Sequence, residues 1–274
     1  MDGRMLLDRL GVDAPLRPDL PTLRRLHRAW RTRVPYENVD IQLGRPIELA
    51  PEALLDKFGR RGRGGFCYEM NGALALLLRS VGFAVDLVEC GVLRADRGDA
   101  AWGNHVALLV TAGGEPWLAD TGIGDAFLEP LPLRGGTHRQ GSLHYRLERL
   151  DTTTWRVHHH PAGSVASYDL RTRPRALAEF AGRCHELATA PASPYVRVLV
   201  AQHHRDGREL ALRSRVVAAA GSERTIASLE EFAEVLATFR IPVADLGADG
   251  VETLWERAGT QHAAWLEMRA RSAR

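Results

Sequence analysis

The hydrophobic period of the chain changes near residue 83, and that change bounds what the sequence can fold into. Upstream, apolar residues recur at helical spacing: Leu6, Leu7 and Leu10, then Leu23, Leu26 and Trp30, then Leu74, Leu77, Leu78 and Val81. Pro35 stops the second of these helices, and Pro51 to Phe58 reads as another short one. Downstream, Val85-Asp86-Leu87-Val88 alternates, Val106 to Thr111 is a short apolar run, and Glu115 to Ala119 follows it across the turn Ala112-Gly113-Gly114. Tyr145 to Leu150 and Trp155 to His159 read as a hairpin around Asp151-Thr152-Thr153. A helical block thus precedes a small antiparallel β domain or barrel over residues 84–170. The remainder is mixed, with a helix over Phe180 to Ala188, strands over Val196 to Val200 and Glu209 to Val217, and a helix over Ser228 to Phe239 capped by Ser228 and Glu231.

Composition removes several classes of function. Lys and Arg number 36 against 34 Asp and Glu, a net charge of +2, which gives no field to hold a polyanion and argues against a nucleic-acid partner. The longest apolar run, Ala73 to Leu78, is far short of the roughly 18 residues that span a bilayer, and the N-terminus lacks a signal-peptide core. A cytoplasmic protein with no membrane association is the expectation. The three cysteines, Cys67, Cys90 and Cys184, are too few and too widely spaced for a disulfide framework or a zinc ribbon.

One of the three stands in a chemically informative setting. In Arg63-Gly64-Gly65-Phe66-Cys67-Tyr68-Glu69, a glycine pair lets the backbone turn sharply and lets another group approach, and a helix opens at Cys67. Unpaired N–H groups and the positive end of the helix dipole favour a thiolate there. Cys90 and Cys184 read as packing residues. A nucleophilic cysteine needs a base, and the base needs an orienting partner. His105 opens the apolar strand after a turn, and the adjoining hairpin brings Asp120 back towards it. The glycine loop Thr121-Gly122-Ile123-Gly124 offers backbone N–H groups from Thr121, Gly122 and Gly124 to a phosphate or a pantetheine chain. No metal site is expected: His158-His159-His160 point to alternate faces of a strand, and His203-His204, before Asp206-Gly207, read as a solvated loop.

These segments, with Val34-Pro35-Tyr36-Glu37-Asn38 upstream, closely resemble the arylamine N-acetyltransferase family, in family order from about residue 20 to about 150. The resemblance implies an α+β architecture: a helical bundle over 1–84 carrying the nucleophile, an antiparallel β-barrel over 85–190 carrying His and Asp, and an α/β lid over 191–274. It also implies a cysteine-protease-like triad of Cys67, His105 and Asp120. The implied reaction moves an acetyl group from acetyl-CoA, a co-substrate and not a resident cofactor, through a Cys67 thioester to an arylamine or hydrazine. Tyr36, Phe66 and Ile123 are the expected acceptor wall. The sequence departs from the family in Met70, where Gln is common, and in Thr121 and Ile123, where Val and Phe are usual. Residues 124–140 resemble actinobacterial members, some of which are amide synthases that close polyketide chains from an acyl carrier protein. Cysteine proteases and transglutaminases share the triad order and form a further alternative, as does a binding module with an inert cysteine.

Overall fold

A computed structural model describes residues 3–205, 208–219 and 221–272. The N-terminal block holds the helices α1 (Arg4–Leu10), α2 (Leu20–Arg33), α3 (Val39–Gln42), α4 (Pro51–Leu55) and α5 (Cys67–Val81), with a short strand β1 (Tyr36–Glu37) between α2 and α3. Asp19 caps α2 by accepting from Thr22 N at 2.9 Å. α4 runs on into a wider helical turn over Asp56–Arg60, so the expected helix reaches Phe58 with a change of winding. Leu23, Leu26 and Trp30 of α2 pack with Leu74, Leu77 and Leu78 of α5 in the largest core. Burying each such side chain contributes about 1.5–3 kcal/mol.

The second block is an eight-stranded antiparallel sheet. Its members are β2 (Ala84–Val92), β3 (His105–Ala112), β4 (Glu115–Ala119), β5 (Leu131–Pro132), β6 (Gly136–Gln140), β7 (Leu143–Arg149), β8 (Thr154–His158) and β9 (Ser167–Arg175), with helix α6 (Arg94–Arg97) between β2 and β3. The spatial order is β5-β4-β3-β2-β9-β8-β7-β6, so the two edge strands are neighbours in sequence and the sheet curls into a nearly closed barrel. A side chain closes the seam. Gln140 of β6 accepts from Leu128 N and Glu129 N at 2.8 and 3.0 Å and donates to Glu129 O at 2.6 Å, just ahead of β5. The unbroken apolar run of β3 follows from burial on both faces: Val106, Leu108 and Val110 pack on α5, while Ala107 joins Leu118, Leu131 and Tyr145 in the barrel's own core.

Beyond β9 come α7 (Ala181–Thr189) and α8 (Pro194–Arg197), the strands β10 (Val200–Arg205), β11 (Arg208–Arg213), β12 (Val216–Ala219) and β13 (Ser222–Thr225), and the helices α9 (Leu229–Thr238), α10 (Val243–Leu246) and α11 (Ala248–Ser272). Ser228 caps α9 through Glu231 N at 3.2 Å, as the sequence indicates. Three readings are corrected. Val196–Val200 is not a strand: Ser193 accepts from Tyr195 N at 3.2 Å and Pro194 takes the first helical position, so one turn of helix precedes β10. Glu209–Val217 is two strands, because Ser214 takes φ 52° and reverses the chain. His203 and His204 lie in β10 and not in a solvated loop; His203 is buried and donates to Thr32 O at 3.0 Å. Asp206 and Gly207 lie outside the described residues. The C-terminal sheet recruits β1 as its edge, pairing Tyr36 with Gln202. Among the described residues, no helix is long and apolar enough to cross a membrane.

Candidate active site

The glycine pair before Cys67 serves close packing. A Cβ on Gly64 would lie 1.9 Å from Pro35 O, so only glycine lets the two segments touch. Glu37 N donates to Gly65 O at 3.0 Å, which lays Tyr36 alongside the approach to Cys67. Arg63, fully buried, clamps the junction by donating to Glu37 Oε1 at 2.8 Å, Asp40 Oδ1 at 3.2 Å and Asp245 Oδ2 at 2.9 Å. Lys57 bridges Asp40 and Glu69 at 2.7 and 2.6 Å. Burial alone would push the Asp40 carboxyl up, but Lys57 and Arg63 hold it at about 2. Removing Arg63 would leave the buried Glu37 carboxylate without its cation, while Asp40 keeps Lys57 and Asp245 keeps Arg61, which makes this cluster a rigid support for the loop that carries the cysteine.

Cys67 opens α5, and Glu69 accepts from Phe66 N at 3.2 Å in the first turn. Its sulfur is fully buried. Burial pushes the thiol well up, Cys184 and Asp120 add to the rise, and the Tyr68 backbone N–H pulls the other way. The helix N-terminus alone therefore does not produce the thiolate expected from sequence; the sulfur needs a proton acceptor beside it.

Tyr68 and Asn71 fix where His105 stands. The Tyr68 hydroxyl donates to Gly103 O at 2.5 Å, and Asn71 Nδ2 donates to Val106 O at 2.6 Å, so the first turn of α5 grips both sides of His105. The β3–β4 register pairs Leu108 with Ala119, which puts Asp120 one step beyond the ladder on the face His105 shares. His105 Nε2 and Asp120 Oδ2 lie 2.8 Å apart, both residues buried. A carboxylate accepts, so Nε2 carries the proton and Nδ1 keeps its lone pair. Asp120 Oδ1 accepts from Asn71 Nδ2 and Gly122 N, each at 2.9 Å. Burial would raise the Asp120 carboxyl, but His105 and these donors hold it below the usual range.

His27 of α2 is a partner that sequence reading missed. It accepts from Asp120 N through Nε2 at 3.2 Å and donates through Nδ1 to Leu128 O at 3.0 Å, so both bonds require a neutral ring. Burial lowers its pKa from 6.5 to about 4. Between those values the unfolded chain binds a proton that the folded ring refuses, so stability falls on acidification from pH 6.5 to 4, by roughly 3 kcal/mol. Urea unfolding at pH 7, 5.5 and 4.5 is expected to show a slope of this sign, to which buried His203, lowered likewise to about 4, also contributes, and His27→Gln is expected to reduce it. An identical slope in the variant would remove His27 as its source.

The loop after Asp120 is built for packing. Thr121 N and Oγ1 donate to Asn71 Oδ1 at 2.9 and 3.1 Å. A Cβ on Gly122 would meet Cys67 Cα at 2.8 Å, and one on Gly124 would meet Gln202 Oε1 at 1.7 Å. The amides of Thr121 and Gly122 that the sequence offers to a phosphate are thus already spent inside the protein. Ile123 packs in the barrel core, while Phe66 and Tyr36 share the core of the helical block with Cys67. Phe66 makes edge contacts with Tyr68 and Tyr195, at 5.3 and 5.2 Å between ring centres. A cavity of about 580 Å³ opens at the loop's far end, lined by Arg31, Asp125, His159 and Glu209 among others, and Cys67 does not reach it. There, burial beside Asp125 raises the Glu209 carboxyl to about 7. His159 faces Asp125, and among the described residues no cluster of three or more His, Cys, Asp or Glu side chains is placed to hold a metal ion.

A family model described as N-acetyltransferase matches residues 19–246. Over 230 residues, the chain is 34% identical to the arylamine N-acetyltransferase of Mycolicibacterium smegmatis, covering 80% of this chain and 82% of that one. The chain belongs to the arylamine N-acetyltransferase family. Solved arylamine N-acetyltransferases share its architecture: that of M. smegmatis superposes with a TM-score of 0.85 at 30% identity over 93% of this chain and 98% of that one. The Mycobacterium marinum arylamine N-acetyltransferase in complex with CoA gives 0.85 at 28% identity, over 94% and 98%. The fold read from the arylamine N-acetyltransferase resemblance, α+β with a barrel, thus holds. Two neighbours of the cysteine escaped the sequence reading. Asn71 was hidden inside a helix that reads as apolar, and Tyr195 sat in a segment read as leading into a strand.

Proposed function

We propose that this enzyme transfers an acetyl group from acetyl-CoA to an arylamine or hydrazine through a thioester on Cys67. The observation that carries the reading is the buried His105–Asp120 pair, held by Asn71 against the helix turn that Cys67 begins. His105 Nδ1 takes the thiol proton, giving a thiolate and an imidazolium whose charge Asp120 stabilises. A raised thiol pKa suits this, because the proton leaves only as the imidazole receives it. The thiolate attacks the donor carbonyl, the carbonyl electrons move to oxygen, and their return expels CoA as a thiolate that the imidazolium protonates. A neutral arylamine then attacks the acetyl-cysteine while His105 removes its proton; re-forming the C=O bond breaks the S–C bond, the amide leaves, and the Cys67 thiolate takes the proton back from the imidazolium. Tyr36 and Phe66 border the sulfur and form part of the acceptor wall.

Incubation with acetyl-CoA and no acceptor is expected to add about 42 Da, located on Cys67 by peptide mapping and lost on adding an aniline. An unmodified protein, or an adduct on Cys90 or Cys184, would overturn the proposal. Longer acyl thioesters in the same assay define the chain length the site takes, and adducts formed only from carrier-protein thioesters would redirect the reading to an amide synthase.

A further inference from the structure

One stripe of α2 carries the segment that begins at the triad acid. Arg24, His27, Arg28 and Arg31 recur at helical spacing, and each contacts a residue between Asp120 and Glu129. Arg31 donates to Gly124 O at 2.8 Å and Ala126 O at 3.1 Å, and Arg24 and Arg28 pair with Glu129. His27 holds the end nearest the chemistry. Asp120 lies one step past the β3–β4 ladder, and its buried amide goes to the His27 ring at 3.2 Å and not to a neighbouring strand. The ring is fixed in turn. Nδ1 donates to Leu128 O at 3.0 Å, and the ring stacks on Phe127 with 5.7 Å between centres and 14° between planes. A second mount, in which the Tyr195 carbonyl accepts from Asn38 Nδ2 at 2.7 Å and Gln42 Nε2 at 2.6 Å, joins other segments and leaves the Asp120 amide to His27.

We infer that His27 is a positioning residue for acyl transfer: its ring holds the Asp120 main chain so that the carboxylate meets His105 with the Nδ1 lone pair of His105 left free for the Cys67 thiol. The inference rests on the acyl-transfer reading above. Two tautomers are linked through one acid. Leu128 O takes the Nδ1 proton of His27, which leaves Nε2 to accept from Asp120 N. Asp120 Oδ2 takes the Nε2 proton of His105, which leaves Nδ1 as the base. No proton passes through His27. Asn71 and Gly122 hold Oδ1 of the same carboxylate and do nothing for its main-chain amide. Without its acceptor that buried N–H would seek another, and the main chain would shift under a carboxylate that lies 2.8 Å from His105.

Two substitutions separate the bond from the packing. His27→Asn places an amide near the Nδ1 position, where it can donate to Leu128 O but falls short of Asp120. His27→Gln places its amide oxygen near the Nε2 position, where it can accept from Asp120 N. Each keeps one hydrogen bond and loses the ring stack, so similar falls in thermal midpoint are expected. Rapid-quench intact-mass measurement of acetylation by acetyl-CoA is expected to show the maximal acylation rate of His27→Asn down about 10- to 100-fold at an unchanged half-saturating donor concentration, with His27→Gln about tenfold faster than His27→Asn. Equal rates in the two variants, or a parent-like rate in His27→Asn, would overturn the assignment. Should His27→Asn fold poorly, the ring tautomers of the parent decide. Long-range nitrogen–proton spectra, assigned with His27→Gln, are expected to place the proton of His27 on Nδ1, and a proton on Nε2 would overturn it. Should the parent form no acetyl adduct, the acyl-transfer reading fails. The iodoacetamide alkylation rate of Cys67 at pH 7 then tests the positioning of His105 by itself: it is expected to be about tenfold lower in His27→Asn than in His27→Gln, and equal rates would overturn the assignment.

Discussion

Cys67→Ala is expected to abolish acetyl transfer, a fall of about 10⁵- to 10⁶-fold to the uncatalysed background. No other group can take over. Cys184, whose thiol burial raises to about 12, lies on α7, and Cys90 lies inside the barrel wall opposite His105 in the β2–β3 ladder. The variant is expected to fold. Alanine fits the helix position, the clamp of Arg63 is untouched, and the Tyr68 and Asn71 hydrogen bonds come from their own side chains. Circular dichroism and a thermal melt check the fold, and steady-state turnover with an aniline checks the rest. Substantial turnover in a folded Cys67→Ala protein would end the covalent mechanism.

Asp120→Asn is expected to lower turnover about 10³- to 10⁴-fold with little loss of fold, through the wrong tautomer of His105. Oδ1 accepts from Asn71 and Gly122, so in the variant the amide oxygen must stay on that side and the amide nitrogen must face the ring. An NH₂ group donates, and His105 Nε2 would then have to accept. The ring proton moves to Nδ1, which turns the base into a donor facing the thiol. The pH–rate profile separates this from simple damage, because a lost base slows acylation while leaving acceptor binding largely intact. Near-parent rates would remove Asp120 from the triad.

Where the geometry of the site is local in sequence, it is legible. A glycine pair, a cysteine and a helix onset fall within nine residues, and the turn Ala112-Gly113-Gly114 fixes the register that returns Asp120 to His105. What escaped depends on contacts distant in sequence. His27 reads as one polar residue on an amphipathic helix, and only the fold shows that its ring holds Asp120 N, 93 positions away. Around Tyr195, β-branched Val196, Val198 and Val200 carry a strand pattern, and the short helix that Ser193 and Pro194 start is masked by it. The pairing of β1 with β10 involves two residues of β1, too few to leave a periodic signature.

The bonds from Asn38 and Gln42 to the Tyr195 carbonyl have a bearing on traffic into the enzyme. They bolt the backbone at Tyr195 to the same segment that Arg63 clamps. A flap that swings on a hinge would have to break several of these at once. The cheaper route is for a ring to flip to another rotamer, a motion that leaves every main-chain bond in place and runs faster than domain closure. Substrate admission would then be governed by the torsional freedom of the Phe66 and Tyr195 rings, and bulk added beside them would slow entry without touching the chemistry that follows.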